Sequence, residues 1–138
     1  MTFKYSTVKQ QVVDRQHIDA GQHIVRLTRI VAVLNKNQEP MLIPEFTIED
    51  LKDDDNGKTV SGFISFPEMF SDIQLQNLEN FIFANQQGFD GLDGQVISVE
   101  FLKQWGAMLI GNVMRIESGY GSGAYAGKPI VKNYYPLD

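Results

Sequence analysis

His23–Asn35 reads HIVRLTRIVAVLN, and its β-branched content marks a long strand. Its odd-numbered apolar set, Val25, Leu27, Val31 and Val33, is interrupted by Arg29. No single alternation keeps all of these side chains on one side and the arginine on the other. The strand is therefore expected to bulge and coil midway. A strand whose inward face changes side can belong to two sheets at once, and that property decides the fold.

Working outward, Asn35–Pro40 is a turn by composition, and 41–51 reads as a second strand in which Pro44 signals an irregularity or an edge. Asp53–Gly57, DDDNG, is a hairpin-type turn. A third strand, 58–66, alternates cleanly, with Val60, Ile64 and Phe66 on the face shared with Gly62, and Ser61, Phe63 and Ser65 on the other. A helix follows. Ser71 and Gln74 form a capping box, Phe70 and Leu75 a hydrophobic staple, and Leu75, Leu78, Phe81 and Ile82 the buried stripe, with Gly88 as terminator.

After the turn-rich GFDGLDG, residues 95–103 read as a fourth strand with Ile97, Val99 and Phe101 inward. Gln104-Trp105-Gly106 turns the chain into a fifth strand over 107–117. Three strands, a helix and two strands, led by a strand that bends, describe an all-β fold with one helix. The expected architecture is a five-stranded OB-fold barrel with the helix between strands three and four. A small α+β sheet with one covering helix is the alternative. The expected organisation is an extension over 1–19, the barrel domain over 20–117 and a Gly/Tyr-rich tail over 118–138.

Composition narrows the chemistry. The chain has 138 residues, a net charge of −5 and no cysteine, which excludes disulfides, thiolate metal sites and thiol catalysis. Six acids and the single base Lys52 between Glu45 and Asp55 account for that whole −5. The first 36 residues hold six bases against two acids, so the total argues only weakly against a polyanionic partner. With neither a leader-like start nor a long apolar run, a soluble cytoplasmic protein without a membrane partner is expected.

The run Gly119–Pro129, GYGSGAYAGKP, ends in Gly-Lys like a phosphate loop but fails the pattern. Ser122 stands where the first glycine belongs, Pro129 replaces the hydroxyl, and no helix follows. His17 and His23 have no carboxylate at a spacing that completes a metal site, and the Asp53 turn lacks the alternating ligands of a calcium loop. No catalytic constellation is found. Neither a metal, a cofactor nor an enzymatic activity is expected.

Aromatics carry the stronger signal. Phe63 on the polar face of strand three suits a base-stacking platform, flanked by Arg26 and Thr28 of the first strand. Trp105, beside Lys103 in the expected turn between strands four and five, suits a base stack and phosphate contact opposite Lys36 in the turn after strand one. The alternatives are that Phe63 contacts the tail or another subunit, and that Trp105 folds over the barrel end. Tyr120 and Tyr125, on a glycine-freed tail with Lys128 and Lys132, could lie along a single strand, another subunit or the barrel itself.

The stretch AGQHIVRLTRIVAVLNKNQEPMLIPEF, the capped helix and the LDGQV that opens the fourth strand together resemble the phage-encoded OB-fold single-stranded DNA-binding proteins of Gram-positive bacteriophages. The resemblance covers Ala20 to Glu117. It implies binding of single-stranded DNA without sequence specificity, in replication or recombination, by a homo-oligomer that meets replication or recombination proteins. Carried onto this chain, it implies contacts from Arg26, Lys36, Phe63, Lys103 and Trp105. The long acidic tail of bacterial relatives has no counterpart in Lys132–Asp138, KNYYPLD. An OB-like protein-interaction module, a virion or replisome adaptor, is the alternative function.

Overall fold

In the computed structural model, which describes residues 17–123 and 126–137, β1 (Gly21–Leu34) carries the expected bulge. Leu27 pairs with Phe46 and Arg29 with Glu45 on β2 (Pro40–Ile48), so Thr28 is the extra residue. Before the bulge the odd residues Val25 and Leu27 are buried; beyond it the inward set is even, with Ala32 buried and Ile30 packed on the core. Arg29 is thereby turned outward. The first half of β1 pairs with β5 (Val113–Tyr120), and the second half pairs with β2.

The third strand is broken into β3 (Thr59–Ser61) and β4 (Ile64–Ser65), both on β2. β6 (Pro129–Tyr135) pairs antiparallel with β5, and its Ile130 meets Ser61 of β3 in parallel. The order β1-β2-β3-β6-β5 thus closes on itself, with β4 as an added piece. This is the five-stranded, mixed barrel of the OB type.

Two of its five strands are not where the sequence pattern puts them. Residues 95–103 form no strand. Ser98 caps a helix instead, its Oγ accepting from the Phe101 amide at 3.1 Å. That helix, α2 (Val99–Ala107), follows α1 (Asp72–Ala84), so both lie between the third and fourth barrel strands. Leu102, Trp105 and Leu109, spaced three and four apart, are its buried side chains and continuation. The fourth barrel strand is β5, beginning at Val113 after a turn in which Gly111 has φ of 100°. The barrel does not end at Glu117 either. The segment read as a tail supplies β6, the strand that closes it.

α1 has the expected capping box: the Gln74 amide donates to Ser71 Oγ (3.2 Å) and the Ser71 amide to Gln74 Oε1 (3.0 Å). It stops at Asn85, before Gly88, with Gln86 left-handed at φ 57° and the Asn85 side chain donating to the Phe81 carbonyl. Leu78, Phe81 and Ile82 are buried, whereas Leu75 is half-exposed. No described helix is long and apolar enough to cross a membrane.

A line of rings joins the barrel to both helices. Phe46 lies 5.9 Å from Tyr134, Tyr134 5.3 Å from Phe81, and Phe81 6.4 Å from Trp105, the last two edge-on. The Tyr134 hydroxyl points into the gap between β3 and β4. A Cβ on Gly62 would lie 1.9 Å from it, which is why that position takes glycine. The hydroxyl faces the Phe63 backbone without an aligned hydrogen bond, and burial pushes its pKa above the ordinary tyrosine range.

The contact between Gly62 and Tyr134 yields a stability prediction for urea unfolding. Gly62→Ala is expected to cost about 2–3 kcal/mol by overpacking. Tyr134→Phe, which removes a buried, poorly paired hydroxyl, is expected to change stability by less than about 1 kcal/mol. In the Tyr134→Phe background the alanine should cost at least about 1 kcal/mol less; additive effects would place the clash elsewhere.

Candidate nucleic-acid interface

The outward face of the barrel is built in rows by the ladder register. Arg26, Thr47 and Thr59 lie across β1, β2 and β3, and Arg29, Glu45 and Ser61 form the next row. Thr28, the bulge residue, fixes the corner between them: its hydroxyl is 2.9 Å from Thr47 Oγ1 and donates to the Glu45 carbonyl at 3.3 Å. Beyond lie Val31 and Ile43, paired and half-buried, and Phe63 in the gap between β3 and β4. Phe63 opens onto a groove of about 460 Å³ whose walls include Ser65, Asn77, Asn80, Lys132 and Asn133. The Asn77 side chain donates to the Phe63 carbonyl at 2.9 Å, tying α1 to the break in the sheet.

Charges on this face are unequal in availability. Arg26 is committed, its Nε donating to Glu49 (2.9 Å) and its Nη1 to the Gly111 carbonyl (2.8 Å). Arg29, Lys36 and Lys132 are exposed and form no ion pair among the described residues. Lys36 stands in the β1–β2 turn, where Asn35 Oδ1 accepts from the Asn37 and Glu39 amides. Arg29 is not among the expected contact residues, and Lys132 is expected only as part of a tail. The Arg29 signal was available, because a charge in the apolar register of a strand must be turned outward.

The remaining expected residues go elsewhere. Trp105 is not at a hairpin tip; it is buried in the core on α2, edge-on to Phe81, with the Nε1 edge of its indole against Gly91. Lys103 is exposed on α2 rather than in a barrel turn, so the expected pairing of a stacked tryptophan with a neighbouring lysine is not formed. Tyr120 stacks on His17 at 5.9 Å, and its hydroxyl donates to the Ile18 carbonyl at 2.8 Å, so it faces the chain's own lead-in segment. Tyr125 lies outside the described residues.

At that end of the barrel the structure joins two features that sequence spacing keeps apart. His23, in the inward register of β1, is buried, with Nδ1 2.5 Å from Asp53 Oδ2 and Nε2 2.8 Å from the Asp19 carbonyl. Asp55, also buried, accepts from the Asp19 amide (2.8 Å) and from Lys58 Nζ (2.9 Å), and Lys58 donates onward to the His17 carbonyl (2.8 Å). Ser118 of β5 donates to the Asp19 carbonyl at 3.0 Å. The result is a polar clasp holding residues 17–19 and the 50–58 loop against the barrel. An inward histidine on a strand was its sequence signal, since a buried imidazole requires polar partners.

Compared with known proteins, the chain matches no family model and no curated sequence.

Burial alone would raise the pKa of Asp55, but hydrogen bonds from Lys58 and the Asp19 amide, with the nearby positive charges, outweigh it and hold the carboxyl below its usual range. A depressed carboxyl stabilises the fold above its unfolded-state pKa, about 3.9, and that contribution is lost as pH falls through the folded value. In chelator-treated buffer, unfolding free energy is expected to be insensitive to Asp55 between pH 5 and 7 and to fall below about pH 4. Asp55→Asn should lower stability at pH 7 by about 1–3 kcal/mol and flatten the acid limb. An unchanged acid limb in the variant would remove Asp55 from the clasp.

Proposed function

We propose that the chain binds single-stranded DNA without sequence specificity across the outer face of β1, β2 and β3. The supporting observation is the placement of Arg29, Phe63 and Lys132 on the outside of a closed OB-type barrel, with Lys36 in the adjoining turn. Arg29, Lys36 and Lys132 supply phosphate contacts. Val31, Ile43 and Phe63 offer apolar surface to bases, a contact every base can make. On this reading the protein is a binding protein rather than an enzyme. A place in phage replication or recombination, and self-association, belong to the same proposal.

A second reading, a protein-interaction module, is favoured by one observation. An apolar groove of about 320 Å³ between α1 and the Phe89–Gly91 turn is lined by Phe66, Phe70, Leu75, Phe89, Leu92 and Ile97. Such a groove accepts an apolar side chain of another protein.

Fluorescence anisotropy of labelled oligo-dT over a salt series separates the two. Binding is expected, with log affinity falling against log salt by about 0.7 per phosphate neutralised. The double variant Arg29→Ala/Lys132→Ala should bind more weakly, with a slope shallower by about 1.4. Buried Trp105 is not expected to report binding by direct stacking. No binding at the lowest salt would overturn the DNA reading and leave the protein-interaction one standing.

A further inference from the structure

The clasp at the barrel end brings three metal-ligating side chains together. His23, Asp53 and Asp55 each offer one ligand atom, and these three atoms lie within 4.8 Å of one another. Their side chains are 5 %, 14 % and 5 % exposed. They come from β1 and from two positions of the β2–β3 loop, and His23 and Asp55 are buried. We propose that they form a binding site for a divalent transition-metal ion of the zinc class, which rivets the β2–β3 loop to the barrel.

Ring orientation is the first argument. His23 Nε2 is directed at the Asp19 carbonyl, which accepts its proton, so Nδ1 is the nitrogen facing the Asp53 carboxylate. A metal-bound imidazole keeps that kind of outer partner, which fixes the tautomer and the ring plane. Charge favours a cation here as well. Two buried carboxylates carry two negative charges, and Lys58 Nζ, on Asp55 Oδ1, balances one of them. Asp53, whose Oδ2 lies 2.5 Å from His23 Nδ1, is the carboxylate that a metal ion at this position would compensate.

Distance is the third argument. Zinc bonds of about 2.0–2.1 Å in a tetrahedron hold ligand atoms about 3.3 Å apart. The 2.5 Å contact between Nδ1 and Asp53 Oδ2 then needs to open by less than about 1 Å, and the widest pair, within 4.8 Å, to close by at most about 1.5 Å. One imidazole with two carboxylates suits zinc or manganese, whereas calcium takes six to eight oxygens, which this set does not offer. On binding, the Nδ1 lone pair forms the metal bond while the Nε2–H stays on the Asp19 carbonyl.

Chelator-treated protein titrated with ZnCl2 tests this by calorimetry, alongside ¹⁵N detection of the histidine ring nitrogens. The chain has two histidines, so the two rings act as each other's control. Saturable binding of one ion is expected, with the His23 Nδ1 resonance moving and the exposed His17 ring unchanged, together with a rise in thermal midpoint. His23→Gln should abolish the saturable step. Absence of saturable binding would overturn the proposal, as would a titration followed by the His17 ring alone or an equal response to CaCl2. The wild-type ring signals decide the matter even if the variant fails to fold.

Discussion

The bulge at Thr28 is the constraint on which the rest of the molecule depends. With unbroken alternation, Arg29 would share the inward face with Val25 and Leu27, and an unpaired guanidinium in an apolar core is prohibitively costly. One extra residue resolves the conflict. Val25 and Leu27 stay inside, the inward set shifts to Ile30 and Ala32, and Arg29 emerges opposite Glu45. The same shift gives β1 the bend with which it pairs with β5 at one end and β2 along the other, closing the barrel. Ile30, redirected inward, then packs where Gly106 of α2 leaves room for it. The residue that forces the bulge is also one of the cations on the proposed interface.

Closure on the opposite side rests on a second local irregularity. β3 and β6 share a single ladder pair, so little backbone hydrogen bonding holds that seam. Side chains carry it instead. Tyr134 fills the space left by Gly62, and its ring connects Phe46 of β2 with Phe81 of α1. Breaking the third strand at this point presents Phe63 to the groove beside α1, and the Asn77 bond holds the break open. Both irregularities therefore act alike: each relieves a conflict in the core and places a side chain on the outer face.

What was legible in the sequence follows from how local its cause is. The bulge and the Ser71–Gln74 box are determined by neighbours within a few residues and are found as read, and the second strand is found but ends at Ile48 rather than at Leu51. Residues 95–109 carry two periods at once. Ile97, Val99 and Phe101 alternate like a strand, while Leu102, Trp105 and Leu109 repeat like a helix, and only Ser98 as a cap favours the second. The resemblance that took LDGQV as the opening of a strand inherited the same ambiguity. β6 was hidden for a different reason. Its ladder slips at Lys132, since Glu117 pairs with Asn133 and Ser118 with Val131. The buried residues Val131 and Tyr134 are consequently three apart, and no alternation survives to be seen. Misplacing these elements also misplaced Trp105, Lys103 and Tyr120.

The clasp bears on how the acidic composition should be weighed against the proposed interface. Formal charge assigns the whole −5 to residues 45–55, which by itself would repel a polyanion. Three of those acids are occupied. Asp53 faces His23, Asp55 takes Lys58, and Glu49 takes Arg26, the first two inside the barrel end rather than on its outer face. Asp55 and Glu49, each engaged by a full positive charge, contribute little at distances beyond about 10 Å at ordinary salt. Arg29, Lys36 and Lys132, by contrast, have no ion-pair partner among the described residues to cancel them. The field near the outer face is therefore set by which charges are paired, and the pairing of this acidic segment draws on His23 and Arg26 of β1 and on Lys58.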